Sequence, residues 1–520
     1  MAILGRIVKG TISLGSKIPK RKLSPYNHQV RTLKKLLGKA RYTAFGENYG
    51  FAQLLQHKNP IAAFQQSVPA HDYQRMFNNW WYRCLNGESF VTWPNHVKYF
   101  ALSSGTSESS SKHIPVTADT LKQIRKVTAR QILGMSQFNL PREIFDSGIL
   151  MLGGSTHLNY NGTYYEGDLS GITTGSSPFW FQHFQKPGKR ISGYKDWNSK
   201  LEEITRNAKN WNIGVVCGVP AWMQILFEKI IRYHNVKTIH DIWPNLGIYV
   251  HGGVSLAPYR KSFDQLTGKP LIYLDTYLAS EGFIAYQDKP TEDGSMRLIT
   301  DVGIFMEFVP FNEENFDGDG NMLPNPKAIA LDQVELGKEY ALLISTCSGA
   351  WRYLIGDTVK FTDVEEMRII ITGRTKHFLS LCGEHLSVDN MNRACMQTAN
   401  ELGVIVNEFT VAGVPHDGLF AHRWFIGVDK QVDAQSFRIR LDEQLKLLND
   451  DYRVERSAAL KDIFVEVLPI EVFFEFLKKI GRFGSSNKFP RVLKGKRYEE
   501  WIEFLREKGF MNDNSNTSAG

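Results

Sequence analysis

The sequence predicts an α/β protein: a large N-terminal domain with mainly parallel sheets and a β-rich subdomain, followed by a small α+β C-terminal domain. Three patterns predict this. Short apolar runs alternate with helical periodicity from about residue 95 to 275, which is the signature of a parallel sheet covered on both faces. Strand runs crowd together between 300 and 372. A new strand–helix set begins near 380.

The elements follow in order. Residues 25–43 place Val30, Leu33, Leu37 and Ala40 at helical spacing, with Arg31, Lys34, Lys35, Lys39 and Arg41 largely elsewhere. Val97–Leu102 reads as a buried strand, followed by a Ser-rich loop and a helix from Ala118 to Leu133 with Thr117 as N-cap. Ile149–Leu152, Ile213–Cys217, Gly247–Val250 and Leu271–Leu274 read as strands, with helices at 220–234 and 257–267 between them. The crowded strands are Ile304–Val309, Tyr340–Ser345, Tyr353–Phe361 and Met367–Ile371. The last set reads helix 389–402, strands 404–413 and 422–428, helix 435–449, strand 463–468 and helix 471–480. Domains are therefore expected at 1–380 and 381–510, with a disordered tail at 511–520.

Composition excludes several function classes. The chain has 520 residues and a formal charge of +8, but residues 1–46 carry eleven Lys and Arg and no acidic residue. The remaining body holds 51 basic and 54 acidic residues, so it lacks the basic surface of a nucleic-acid binder. The basic segment reads as a solvated helix face, with a membrane- or polyanion-binding helix as the alternative. Five scattered cysteines without a CxxC fit a reducing compartment better than a disulfide framework. No run of about 20 apolar residues exists to span a membrane. Arg6 and Lys9 interrupt the would-be core of a signal peptide. A cytoplasmic protein is expected.

Five segments carry chemistry. Ser103-Ser104-Gly105-Thr106-Ser107-Glu108-Ser109-Ser110-Ser111-Lys112 offers hydroxyls, backbone N–H groups and a lysine between a strand and a helix, a composition suited to phosphate. It is not a Walker A loop, because no second glycine precedes Lys112. Tyr277-Leu278-Ala279-Ser280-Glu281-Gly282 puts a hard carboxylate ligand at the carboxyl end of a strand. Tyr353-Leu354-Ile355-Gly356-Asp357-Thr358-Val359 places one aspartate in an apolar strand, where burial demands partners. Gly373-Arg374-Thr375-Lys376-His377 ends a strand beside the domain boundary, and Ser485-Ser486-Asn487-Lys488-Phe489 lies in a loop of the small domain. Each also admits a plain reading as a solvated loop, turn or linker.

Taken together, SSGTSESSSKHIP, YLASEG and YLIGDTV resemble the three nucleotide-binding motifs of the plant auxin-responsive acyl-acid amido synthetases and their bacterial relatives, within the adenylate-forming superfamily. ARYTAFGENYGF, GESFVTWPNHVKYF, GIFMEFVP and GRTKHFLSLCGEHL extend the resemblance over nearly the whole chain. It implies the adenylate-forming fold with a small mobile C-terminal lid, and the substrates ATP, a carboxylic acid and an amino acid, with Mg²⁺. It implies that Ser103, Ser104, Thr106, Ser107 and Lys112 hold the phosphates and that Ala279 and Ser280 line the adenine, with Gly252 and Gly253 beneath it. Glu281 would bind Mg²⁺, Asp357 the ribose hydroxyls, with Arg374 assisting. Lys488 would reach the reacting carboxylate. The implied reaction is acyl-adenylate formation followed by transfer to an amine. Transfer to coenzyme A or another thiol is the alternative, and a non-catalytic scaffold with a basic N-terminal segment is a third. An apolar acyl pocket is expected around Phe179, Trp180, Pro220, Trp222 and Met223, although these residues also suit ordinary core packing.

Overall fold

The computed structural model describes residues 23–511 apart from 104–111, 139–140, 177–181, 183, 254–255, 257–258, 290, 318–319, 377, 385, 429 and 481–488. The chain divides into two compact units, one ending at Thr375 and the other continuing from Lys376.

The first unit opens with helix α1, Pro25–Ala40, started by Ser24, whose side chain accepts the Asn27 N–H, and by Pro25 at the first turn. Leu33, Leu36, Leu37 and Ala40 are buried, whereas Arg31, Lys34, Lys35, Lys39 and Arg41 are exposed. Burying each leucine stabilises the unit by about 1.5–3 kcal/mol. The described part of the basic segment is thus a solvated helix face. Gln29, also buried, spans the helix–sheet contact: its amide donates to the Thr300 and Ile304 carbonyls and accepts from the Met306 N–H.

Strand β1 (Tyr99–Ser103) pairs antiparallel with β2 (Lys112–Val116), with Ser103 opposite Lys112. The Ser-rich segment therefore closes a hairpin. It leads into β2 and not directly into a helix, as the sequence reading had it. Helix α2 (Ala118–Gly134) starts only after β2, with Thr117 accepting from the Thr120 N–H as expected.

Next come β3 (Gly148–Met151), β4 (Asn159–Tyr160), β5 (Tyr165–Gly167) and β6 (Gln185–Lys186), then α3 (Trp197–Asn207), β7 (Ile213–Cys217) and α4 (Pro220–His234). They continue with β8 (Ile248–Gly252), α5 (Arg260–Leu266), β9 (Ile272–Ala279), β10 (Gly282–Tyr286) and β11 (Met296–Leu298). β12 (Ile304–Pro310), β13 (Glu339–Thr346), β14 (Tyr353–Asp363) and β15 (Arg368–Arg374) complete the unit. Eleven of these strands form one sheet in the order β12-β13-β14-β15-β11-β10-β9-β8-β7-β3-β6. The half from β6 to β9 is parallel, and the half from β9 to β12 is antiparallel. The expected parallel sheet and β-rich subdomain are two halves of one mixed sheet. A separate sheet, β2-β1-β5-β4, carries the hairpin.

In the second unit β16 (Phe378–Leu379) pairs with β17 (Leu386–Ser387), and α6 (Val388–Leu402) follows. β18 (Val406–His416), β19 (Leu419–Val428), α7 (Ala434–Leu448), β20 (Leu460–Pro469), α8 (Ile470–Lys479), β21 (Val492–Leu493) and α9 (Gly495–Glu507) complete it around the sheet β20-β19-β18-β21. Between β16 and β17 the Glu384 carboxylate accepts the N–H groups of Leu381, Cys382 and Gly383 and lies 2.9 Å from His422 Nε2 on β19. Both side chains are fully buried. The His422 contact, together with these N–H groups, holds the Glu384 carboxyl below its usual range against the effect of burial.

Candidate active site

β9 does not stop at Leu274. It runs through Ala279, so Ser280 and Glu281 form the turn of the β9–β10 hairpin. Gly282 takes φ +147°, a conformation that a side chain would strain. Gln123 on α2 steadies this corner by donating to the Phe283 carbonyl and accepting the Phe283 N–H. Glu281 is held in the turn at 7% exposure.

Asp357 lies within β14, not in a turn, directly opposite Arg374 on β15. Arg374 Nε is 2.7 Å from Asp357 Oδ1, and the Tyr277 hydroxyl donates to Oδ2 at 2.6 Å. Tyr277 reaches Asp357 from β9, so strands that are not neighbours in the sheet converge on one carboxylate. Burial, together with the Asp357 charge, pushes the Tyr277 phenol well up, which keeps it a donor. Burial raises the Tyr353 phenol as well, and the neighbouring Glu281 carboxyl adds to that.

Burial also raises the Glu281 carboxyl, and the negative charge of Asp357 adds to that. Lys112 and Arg374 pull in the other direction. Lys112, at the start of β2, lies with its Nζ 5.4 Å from the centre of the Tyr73 ring. Lys112, Asp357 and Arg374 thus all act electrostatically on Glu281, and Arg374 is paired with Asp357.

Ser103 stands at the hairpin end of β1, opposite Lys112. Ala279 ends β9 and Ser280 opens the turn. Gly252 ends β8 against the next strand: a Cβ there would lie 2.4 Å from the Thr276 carbonyl oxygen. Thr276 Oγ1 donates to the His251 carbonyl at 2.7 Å, which fixes β8 to β9 just before Gly252–Gly253. Ser104, Thr106, Ser107, Phe179, Trp180 and Lys488 lie outside the described residues. Trp222 and Met223 on α4 are both buried. Trp222 stacks on Trp197 of α3 at 4.3 Å, and Met223 Cε would meet a Cβ on Gly218 at 3.2 Å. The Trp222 ring is committed to helix packing, which is the plainer of its two readings.

Two members of the site were not singled out from sequence, Tyr277 and Tyr353. Each opens a motif that had been read for its acid, YLASEG and YLIGDTV. A tyrosine beginning each acidic motif was the available signal. Among the described residues, no group of three or more His, Cys, Asp or Glu side chains is placed to hold a metal ion. No helix among them is long and apolar enough to cross a membrane.

Comparison with known proteins places the chain in a family. The chain is 32% identical over 148 residues to the jasmonoyl–L-amino acid synthetase JAR4 of Nicotiana attenuata, covering 27% of this chain and 24% of that protein. It is 32% identical over 133 residues to the indole-3-acetic acid-amido synthetase GH3.2 of Arabidopsis thaliana, covering 24% and 23%. These matches span about a quarter of the length of those curated relatives. Two solved structures show the fold over nearly the full length. The GH3.15 acyl acid amido synthetase has a TM-score of 0.58 at 16% identity, covering 96% of each chain. A 2-hydroxyisobutyryl-CoA ligase has a TM-score of 0.58 at 12% identity, covering 93% of this chain and 92% of that one. The family models named GH3 N-terminal, central and C-terminal domain match residues 16–158 and 132–272, 297–370, and 389–497. With all three of its domains matched in order along the sequence, the chain belongs to the GH3 family.

Proposed function

We propose that this protein is an ATP-dependent acyl-acid amido synthetase, which joins a carboxylic acid to an amino acid through an acyl-adenylate. The observation that carries the reading is the Tyr277–Asp357–Arg374 cluster beside Glu281 and Lys112. An ionised carboxylate has about four acceptor positions. Arg374 and Tyr277 occupy two, one on each oxygen. A position remains on each oxygen for the two vicinal hydroxyls of a ribose. Because the carboxylate is clamped from both sides, it binds them without reorganising.

Glu281 supports the expectation of Mg²⁺. It is a single buried carboxylate, and no group of three or more His, Cys, Asp or Glu among the described residues forms a cage there. That suits a cation held by one carboxylate and the substrate's phosphates. When bound, Mg²⁺ supplies charge neutralisation at those phosphates. Lys112 adds a positive charge on the same side. Lys488, assigned from its motif alone, would act on the reacting carboxylate and α-phosphate. The protein's own contribution is positioning and fixed charge around a phosphorus that becomes more negative as the adenylate forms. All five cysteines are unpaired, in keeping with a reducing, cytoplasmic setting.

The test is ATP–pyrophosphate exchange across a panel of carboxylic acids, followed by product analysis with amino acids or coenzyme A as acceptor. Exchange with amide formation supports the reading. A thioester without amide would replace it with a thiol ligase, and no exchange with any acid would leave a non-catalytic protein.

A further inference from the structure

At neutral pH an α-amino acid presents an ammonium group, whose lone pair is occupied by a proton. Amide formation therefore needs a proton acceptor near the acyl carbon. The Lys112–Arg374 cluster is poorly suited to this, because its two acids are engaged by tyrosine and by basic groups.

A second pair stands nearby in the fold. His251 on β8 and Asp275 on β9 are directly opposite each other in parallel register. His251 lies toward the carboxyl end of β8, where open α/β sheets bind ligands, and Asp275 stands mid-strand in β9, near the end of the stretch paired in parallel with β8. They immediately precede Gly252–Gly253 and Thr276–Tyr277, and Tyr277 is the residue that grips Asp357. His251 Nδ1 is 3.5 Å from Asp275 Oδ1. His251 is 6% exposed and its Nδ1 has no hydrogen-bond partner, while 35% of the Asp275 side chain is open. A buried ring nitrogen left unpaired opposes folding. Loose pairs of this kind are common in catalytic sites before the substrate tightens them.

The surroundings set the pair's proton affinity. Tyr249 and Tyr273 flank His251. The Arg260 guanidinium of α5 lies 4.0 Å above the Tyr273 ring and is itself paired with Asp264. Burial, aided by Arg260, pushes His251 down to about 4, so its ring is neutral. Burial pushes Asp275 up to about 6, against the Thr276 N–H that donates to its Oδ1. Gln287 holds the Asp275 backbone by accepting its N–H. A carboxylate that is ionised at neutral pH but binds a proton more tightly than an ordinary aspartate is matched to the task of a base.

We propose, on the amido synthetase reading, that Asp275 accepts the proton of the acceptor's ammonium group and that His251 is a positioning residue for its carboxylate. An ammonium N–H bond breaks and the proton passes to Asp275. The freed lone pair forms the C–N bond at the acyl carbon. The acyl C–O bond to phosphate breaks, and its electron pair leaves with AMP. The second proton lost as the amide forms goes to solvent, as does the one on Asp275 through its open side.

Asp275→Asn and His251→Gln separate this from a structural role. The acyl probes are benzoate, indole-3-acetate and octanoate. The acceptors are the protein amino acids and, as a control, hydroxylamine, whose nitrogen is largely unprotonated at neutral pH. Asp275→Asn should lower amide formation from an amino acid about 10²–10⁴-fold at neutral pH. The loss should shrink as rising pH frees the amine. Pyrophosphate exchange and hydroxamate formation should stay within about 3-fold of wild type, as should the thermal midpoint of a folded variant. His251→Gln should lose about 10-fold or more in the same step and shift its pH profile. Unimpaired amide formation in Asp275→Asn with an unchanged pH profile would overturn the proposal. So would an equal loss of pyrophosphate exchange, which would place the pair in adenylation or in the fold. A wild-type enzyme that exchanges pyrophosphate but forms no amide with any amino acid would instead overturn the reading beneath it, and the proposal too.

Discussion

Replacing Asp357 by asparagine exchanges one oxygen for a nitrogen and tests the ribose assignment directly. The two donors already on the carboxylate are Arg374 Nε at 2.7 Å and the Tyr277 hydroxyl at 2.6 Å. Both must be accepted, and an amide has only one oxygen to offer. Its NH₂ would face a donor, and the ribose would lose an acceptor. A hydrogen bond to a buried charged group is worth about 1.5–3 kcal/mol. That corresponds to a factor of about 10 to 150 at 1.4 kcal/mol per tenfold. The wild-type enzyme should therefore prefer ATP to 2′-deoxy-ATP by about that factor in kcat/KM for pyrophosphate exchange. In Asp357→Asn, exchange with ATP should fall by a similar factor. The preference should collapse to within about 3-fold, because the acceptor that read the hydroxyl is gone. A preserved ATP to 2′-deoxy-ATP ratio would show that the discrimination arises elsewhere and would remove Asp357 from the ribose.

Three other outcomes are expected. Burial pushes His71 down to about 4, so the native ring stays neutral while the unfolded chain gains a proton below about 6.5. Stability from this group is complete above the unfolded value and is lost as pH falls toward 4, by about 3 kcal/mol. His71→Gln, whose amide can keep the bond to the Trp351 carbonyl, should flatten acid unfolding in that window, and an unchanged acid profile would count against the assignment. Arg352 and Glu307 form a buried ion pair at 3.0 Å, so Arg352→Met should cost about 3–5 kcal/mol in chemical denaturation, while adding Glu307→Leu should restore at least half of it. Glu281→Gln should lower pyrophosphate exchange about 10²–10³-fold and raise the Mg²⁺ concentration needed, with no loss of thermal midpoint, because it removes a carboxyl that burial already disfavours in its charged form. A wild-type Mg²⁺ response in that variant would remove Glu281 from the metal.

Periodicity made much of this architecture legible. Leu33, Leu37 and Ala40 do form a buried stripe, and Ile213–Cys217 is a strand at the expected residues. Asp357 stood out because an acid in an apolar strand needs partners, and it has them. What periodicity could not carry was pairing. Lys112–Val116 contains Pro115 and follows a Ser-rich run, so it read as loop. Only its antiparallel partner, β1, makes it a strand. The continuity of the sheet from β6 to β12 is likewise a matter of which edges meet. Tyr277 and Tyr353 were not singled out, because sequence shows a ring and not where its hydroxyl ends. The short helices between residues 44 and 85 and the closing helix α9 were also missed, the first for length and the second because it opens on glycine.

The Glu384 nest has a mechanical consequence. Leu381, Cys382 and Gly383 are tied to Glu384, Glu384 is tied to His422, and β16 is paired with β17. These bonds fasten β16 and β17 to β19 within the second unit. On the other side, the Thr375 N–H donates to the Gly356 carbonyl and so belongs to the first. Only Lys376 and His377 lie between the two anchor points. Two residues of chain thus separate a backbone bonded to the sheet of the first unit from one bonded into the nest of the second, and a few glycines inserted there would leave both sets of bonds intact.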